Sequence, residues 1–341
     1  MTASVNLINV STVVETFIKH QIVPMLYGQP GIGKSRIIQN IALKYNLELI
    51  DLRLSQCEPT DLLGLPFFRG EKTAYKPMET FPLETDTLPP NKNGWLLFLD
   101  ELNSASPSVQ SACYKLILDR QVGSLKLHPR CAIVAAGNRV EDQAIVSPLS
   151  SALVSRMANL ELNMNYKDWL DWAKENNIAH QIQAFIEFSP QSLNTFESVL
   201  QRDSEDRSYA CPRTWEMVSK LIQKDYDTSL LLEFITALMD LETAHQFYAF
   251  LSIYKEIPSL EAMLLHPAEV TIPTELSHVF AFSYYLAAHL NQENIEILFT
   301  VVLRLPIEFQ FIIVKQAFNQ IRKSPLITEW KLKNKEIILN A

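Results

Sequence analysis

A chain of 341 residues, 48% of them hydrophobic and with a mean hydropathy of +0.02, holds enough apolar matter for two or three ordinary domains and is neither disordered nor collagenous in composition. The formal net charge of −8 and the pI near 5.5 weigh against a protein that works mainly by gripping nucleic-acid phosphates. The cysteines Cys57, Cys113, Cys131 and Cys211 are scattered, with no C-x-x-C pair, and read as reduced thiols rather than a disulfide or metal framework.

The opening MTASVNLINV lacks a basic segment followed by a long apolar one, so no signal peptide is expected and a cytoplasmic location is. The apolar stretches HVFAFSYYLAAHL and IEILFTVVLRLPIEFQFIIV are short or broken by Glu296, Arg304, Pro306 and Glu308, and read as core helices without membrane insertion.

In chain order, Val10, Val13, Val14, Phe17 and Ile18 repeat at helical spacing, and VPMLY (23–27) is a short buried strand. A second helical stripe, Ile37, Ile38, Ile41, Ala42 and Tyr45, follows a glycine-rich loop directly. LELIDL (47–52) and WLLFLD (95–100) are strands; Ser106 and Pro107 then form an N-cap and first-turn pair opening a helix with Val109, Ala112, Cys113, Leu116 and Ile117 inward. CAIVAAG (131–137) and ANLEL (158–162) complete five strands separated by helices, which predicts a parallel sheet covered on both faces. All eight glycines fall at or before Gly137, so the rest of the chain is expected to be almost purely helical. Helices are expected in YKDWLDWAKEN and AHQIQAFIEF, then, past a polar linker at 201–210, from CPRTWEMVSKLI, with a last helical block over about 275–325. The domains expected are an α/β nucleotide-binding domain over 1–163 with an insertion at about 64–94, a helical lid over 164–258 and a helical extension over 259–341.

Gly28-Gln29-Pro30-Gly31-Ile32-Gly33-Lys34-Ser35, with Arg36 following, fits the phosphate-binding loop pattern between a strand and a helix. Its backbone N–H groups would turn toward the phosphates of a nucleotide, Lys34 would reach the outer phosphates and the Ser35 hydroxyl would ligate Mg²⁺. The strand WLLFLD ends at Asp100, placed to hold the Mg²⁺ shell, and is followed by Glu101, placed to polarise a water. The second acid is what argues for hydrolysis of ATP rather than a switch that only holds it.

These motifs, with LFLDELNSASPSVQSACYKLILDRQV, AIVAAGNR, SALVSRMANLEL and PRTWEMVSKL in that order, resemble AAA+ ATPases of the MoxR group, close to the dynein-related branch, over residues 10–225. The resemblance implies homo-oligomeric rings, usually hexamers, with ATP between subunits, and a chaperone-like remodelling activity exerted on a protein partner, often one carrying a von Willebrand factor type A domain. It assigns Asn138 as the sensor 1 residue that holds the attacking water, Arg156 as an arginine finger acting on the neighbouring subunit's nucleotide, and Arg213 as the sensor 2 arginine of the lid. Many relatives have proline after sensor 1, where this chain has Arg139 and so a second cation near the site. The segment FFRGEKTAY in the insertion would form a hairpin, whose Phe67, Phe68 and Tyr75 either grip a substrate in a ring pore or pack on their own domain. DRQVGSLKLHPRC gathers Lys126, His128 and Arg130, a solvated loop or a contact for an acidic partner or nucleic acid. Two other functions share such an ATPase core: a nucleic-acid motor of the restriction or replication type, and an assembly factor with little turnover.

Overall fold

The computed structural model describes residues 3–142, 148–202, 208–223 and 230–335. The chain divides into two compact units, Met1–Asn165 and Tyr166–Ala341.

In the first unit the strands are β1 (Ala3–Asn6), β2 (Val23–Tyr27), β3 (Glu48–Arg53), β4 (Leu65–Arg69), β5 (Lys72–Lys76), β6 (Trp95–Asp100), β7 (Gln121–Val122), β8 (Leu125–Lys126), β9 (Cys131–Gly137) and β10 (Met157–Asn163). The helices are α1 (Leu7–Lys19), α2 (Lys34–Lys44), α3 (Pro59–Leu63), α4 (Pro107–Asp119) and α5 (Ser151–Val154). One sheet runs in the order β1-β10-β2-β9-β6-β3, and all of its pairings are parallel. It has six strands where the sequence predicts five. The sixth, β1, is a four-residue edge strand of mostly exposed residues, without the apolar run that marks the others.

The central strands look uniformly apolar in sequence because both faces are covered. Leu96 and Phe98 of β6 join Val10, Val14, Ile38 and Ile41 of α1 and α2 in one core cluster. Trp95, Leu97 and Leu99 face the other way, toward Val109, Cys113 and Leu116 of α4. The two-residue period of a strand thus sends one apolar run into two cores. Helix α4 starts as predicted: the Ser106 hydroxyl accepts from the Val109 N–H and Pro107 takes the first turn.

The insertion does form a hairpin, β4 with β5, pairing Phe67 with Ala74 and Phe68 with Thr73. Phe68 is 87% exposed and Phe67 and Tyr75 stand at 42% and 47%. The reading in which these rings pack into their own domain therefore fails for Phe68.

Every element named among the described residues of the second unit is a helix. Phe185 sits 5.7 Å from Trp215, 5.2 Å from Phe247 and 5.4 Å from Phe250, centroid to centroid. Within the same unit the Phe280 ring lies 6.1 Å from Phe188 and 5.1 Å from Phe309, and the buried Tyr284 hydroxyl donates to Glu187 over 3.0 Å. Among its described residues only Asn177 has a positive φ (56°), so the glycine-free half of the chain turns almost entirely in conformations open to any residue. Part of the polar linker expected at 201–210 lies outside the described residues. No described helix is long and apolar enough to cross a membrane.

Candidate functional site: the carboxyl edge of the parallel sheet

Parallel strands end on one edge, and the carboxyl ends of β2, β9 and β6 deliver three segments side by side. Strand β2 lies between β9 and β10, where the chain order reverses, so a crevice opens beyond its end. Residues 28–33 fill it as a loop leading into α2, whose N-cap is Gly33 at φ 107° with no side-chain cap. The first N–H groups of a helix have no partner within it. Here they are offered by the sequence itself, together with the positive end of the helix dipole.

Lys34 is only 9% exposed. Its ammonium donates to the carbonyls of Gly28 (2.6 Å) and Gln29 (3.1 Å) and to Oδ1 of Asn138 (3.0 Å). Gly28, Gln29, Gly31 and Ile32 are buried with it, Pro30 is partly exposed, and Arg36 projects from the exposed side of α2.

The Ser35 hydroxyl donates to Oδ2 of Asp100 over 3.2 Å, bringing a hydroxyl and a carboxylate to one point. Among the described residues no group of three or more His, Cys, Asp or Glu side chains is placed to bind a metal unaided. Oxygen donors in this number suit Mg²⁺, which keeps waters and binds through one or two protein oxygens plus phosphate.

Glu101 holds φ 57°, ψ 34°, a left-handed conformation uncommon outside glycine. The turn aims its carboxylate away from the line of β6, where the Ser55 hydroxyl donates to it. Asn138 directly follows β9 and is fixed through its backbone: its N–H donates to Oδ1 of Asn103 (3.1 Å) and its carbonyl accepts from Nδ2 of the same side chain (2.6 Å). Gly137 permits that approach, since a Cβ there would overlap the Asn103 amide and the Met25 methyl.

Asp51 of β3 adds a third carboxylate. Although the residue is exposed, partial desolvation, and then the negative charges of Asp100 and Glu101, hold its pKa above the usual range against the pull of Arg53. Arg139 does not lie loose at the site: its guanidinium pairs with Asp142 at 2.8 Å and approaches Glu161 at 3.7 Å.

The structure thus gathers Lys34, Ser35, Asp100, Glu101 and Asn138. It does not bring Arg156 to them. Arg156 directly precedes β10, whose Met157 pairs with Val23 at the start of β2. It therefore sits at the amino edge, one seven-residue strand or about 20 Å from the crevice. There it is exposed, stacks over the Tyr114 ring at 5.3 Å and donates to the Ala152 carbonyl over 2.8 Å. Arg213 is exposed in the first turn of the helix Pro212–Ile222, in the second unit.

Ser55, Asn103, Asp51 and Asp142 escaped the sequence reading. Asn103, two residues past Glu101, carried a faint signal. Ser55 and Asp51 become neighbours of the acids only once β3 is known to pair with β6.

Residues 24–157 match the family profile described as AAA domain (dynein-related subfamily), and this stretch is an AAA domain of that kind. No curated protein matches the chain. Similar solved structures include a proline-to-glycine mutant of Thermotoga maritima RuvB, 16% identical, with 82% of this chain and 80% of that one covered at a TM-score of 0.41. The T. maritima RuvB Holliday junction branch migration motor is also 16% identical, covering 75% and 74% of the two chains at 0.34. A Cytophaga hutchinsonii protein provisionally assigned as an ATPase is 14% identical, covering 89% and 79% at 0.36. Superpositions this loose leave the family match and the site geometry to carry the functional reading.

Proposed function

We propose that the protein is a MoxR-like ATP-hydrolysing ring motor that remodels or activates a protein partner. The observation that carries the reading is the convergence of Lys34, Ser35, Asp100, Glu101 and Asn138 on one sheet edge, with Lys34 bonded to Asn138. ATP would lay its phosphates over residues 28–35, within reach of the Lys34 ammonium. Ser35 and Asp100 would hold Mg²⁺, which supplies charge neutralisation to the phosphates when bound. Glu101 takes the proton of the attacking water, and Asn138, immobilised through Asn103, orients that water. Ser55 restrains the Glu101 carboxylate. The chemistry is one of positioning and electrostatics, with no covalent intermediate.

The displacement of Arg156 to the opposite edge supports action in trans. A side chain about 20 Å from its own crevice serves the crevice of the next subunit, which implies a homo-oligomer, hexameric by family likeness. Residues 164–258 would form the lid, with Arg213 sensing nucleotide, and residues 259–341 a helical extension. The exposed rings of Phe67, Phe68 and Tyr75 offer a grip on a polypeptide client, and a von Willebrand factor type A protein is the partner class proposed.

The test is ATP turnover against protein concentration, followed by mixing Arg156→Ala with Glu101→Gln. Turnover per subunit should rise as subunits meet, and Arg156→Ala should lose roughly a thousand-fold in rate while keeping ATP affinity. Once labelled subunits are seen to exchange, the mixture should recover activity at interfaces that pair an intact Glu101 site with an intact Arg156. A monomer turning over at full rate rejects the ring.

A further inference from the structure

The strands that end in the nucleotide crevice begin at a second cavity. It measures about 380 Å³ and lies at the amino edge of β2, β6 and β9, closed on one side by the last turns of α1 and α2. That volume is near the lower end of the range for small-molecule sites.

Two kinds of side chain line it. Ile18, Ile22, Ile41, Ile133, Tyr45 and Trp95 contribute apolar lining. Lys19, Arg120 and Arg130 supply three cations against one carboxylate, Glu15. Glu15 is engaged by Lys44 and the Tyr45 hydroxyl, each donating over 2.7 Å, and its charge also acts on Lys19, so the two arginines carry the excess of positive charge in the lining. Arg120, at the end of α4, donates to the Cys131 carbonyl and is fixed at the cavity wall. Arg130, from the basic loop that the nucleotide chemistry does not use, has an exposed side chain at the rim. The Trp95 ring is buried and braced edge-on by His128 at 4.9 Å.

A cavity of this make-up accepts an apolar or aryl body against its isoleucine and Tyr45 lining and a single negative charge at the arginines. In a chain of net charge −8 a local excess of cations is a selective feature. We infer that this amino-edge cavity is a binding site for a small amphipathic anion, an aryl or alkyl carboxylate, separate from the nucleotide crevice. The site and the crevice lie at opposite ends of the same strands and of α2, so both can be filled together.

The experiment uses the full chain and 3-phenylpropionate as probe, with neutral 3-phenylpropionamide as comparator, observed by the Trp95 indole resonance and by calorimetry. The carboxylate should perturb Trp95 saturably at millimolar concentration or below and bind about tenfold more tightly than the amide. Arg130→Gln should erase that preference without weakening the amide. Ile22→Trp, which adds bulk at a 43% exposed position on the mouth, should exclude both probes. A non-hydrolysable ATP analogue should displace neither. Three results overturn the inference: no saturable shift at Trp95, equal binding of acid and amide, or displacement by the analogue, which would put the anion in the nucleotide crevice.

Discussion

The two ends of the parallel sheet are built from the same strands and solve opposite problems. At the carboxyl edge, carboxylates crowd together: Asp51 is held above its usual pKa by partial desolvation and by Asp100 and Glu101. At the amino edge the buried Glu15 goes the other way. Burial pushes its carboxyl up, but hydrogen bonds from Lys44 and Tyr45, with the charges of Lys44 and Lys19, outweigh that and leave the pKa lowered. The carboxyl edge keeps unfavourable charge ready for a ligand, whereas at the amino edge the Glu15 carboxylate holds α1 to α2. The lesson is that the phosphate chemistry and the Glu15 clamp between α1 and α2 sit at different ends of one sheet, and substitutions should separate them.

The largest effect is expected at Glu101. Glu101→Gln should bind MgATP normally and lose about 10²- to 10⁴-fold in turnover, because the group removed acts on the water rather than on the phosphates. Its melting temperature should stay close to the parent's. Equal loss of affinity and turnover in binding and phosphate-release assays would contradict that division of roles.

Next is the amino-edge counterpart, Glu15→Gln, expected to cost about 2 kcal/mol through two weakened charge-assisted hydrogen bonds and to leave turnover unchanged. The sign of its pH dependence follows from the lowered pKa. The folded state binds fewer protons at Glu15 than the unfolded state, so its stabilisation is complete above the ordinary glutamate pKa and is lost as pH falls through the folded value. Thermal melts across the acid range should therefore converge for parent and variant at low pH. A variant that melts like the parent at neutral pH would remove the contrast between the two ends.

Gly137→Ala tests the boundary between the two roles. The added Cβ meets the Asn103 amide and the Met25 methyl, so a cost of about 1–3 kcal/mol is expected from overpacking. Turnover should fall beyond what the lost stability explains, because Asn103 holds Asn138. Unchanged turnover in the folded variant would show that Asn138 needs no such support.

The smallest effect is Asp51→Asn, expected to raise stability at neutral pH by no more than about 0.5 kcal/mol, because solvent screens the charges around this exposed carboxyl. Here the folded state binds more protons than the unfolded one, so the carboxylate's cost is absent in acid and fully expressed above its raised pKa. The gain in melting temperature should appear on going from acid to neutral pH, opposite to the trend for Glu15→Gln.

Much of the carboxyl edge was legible before the fold was known. Residues 28–35 and the run WLLFLDE carry their chemistry in local order, because a phosphate loop must sit between a buried strand and a helix and an acid pair must end a central strand. Ser106 and Pro107 announced α4 for a similarly local reason. The short strand β1 was not legible, since an exposed edge strand needs no apolar alternation. Ser55, Asp51 and Asn103 were missed because their partners lie on other segments.

The sequence by itself determined the parallel architecture, the loop-to-helix turn, the acids and the helical second half, all consequences of period, glycine placement and residues adjacent in the chain. Only the tertiary structure decided that Arg156 stands at the far edge from Lys34, that Lys34 rests against Asn138, and that Lys19, Arg120 and Arg130 surround one cavity. The physical reason is strand order: pairing β2 with β9 and β10, and β6 with β3, sets which distant residues meet at each edge. Local periodicity specifies a strand's faces but not its neighbours.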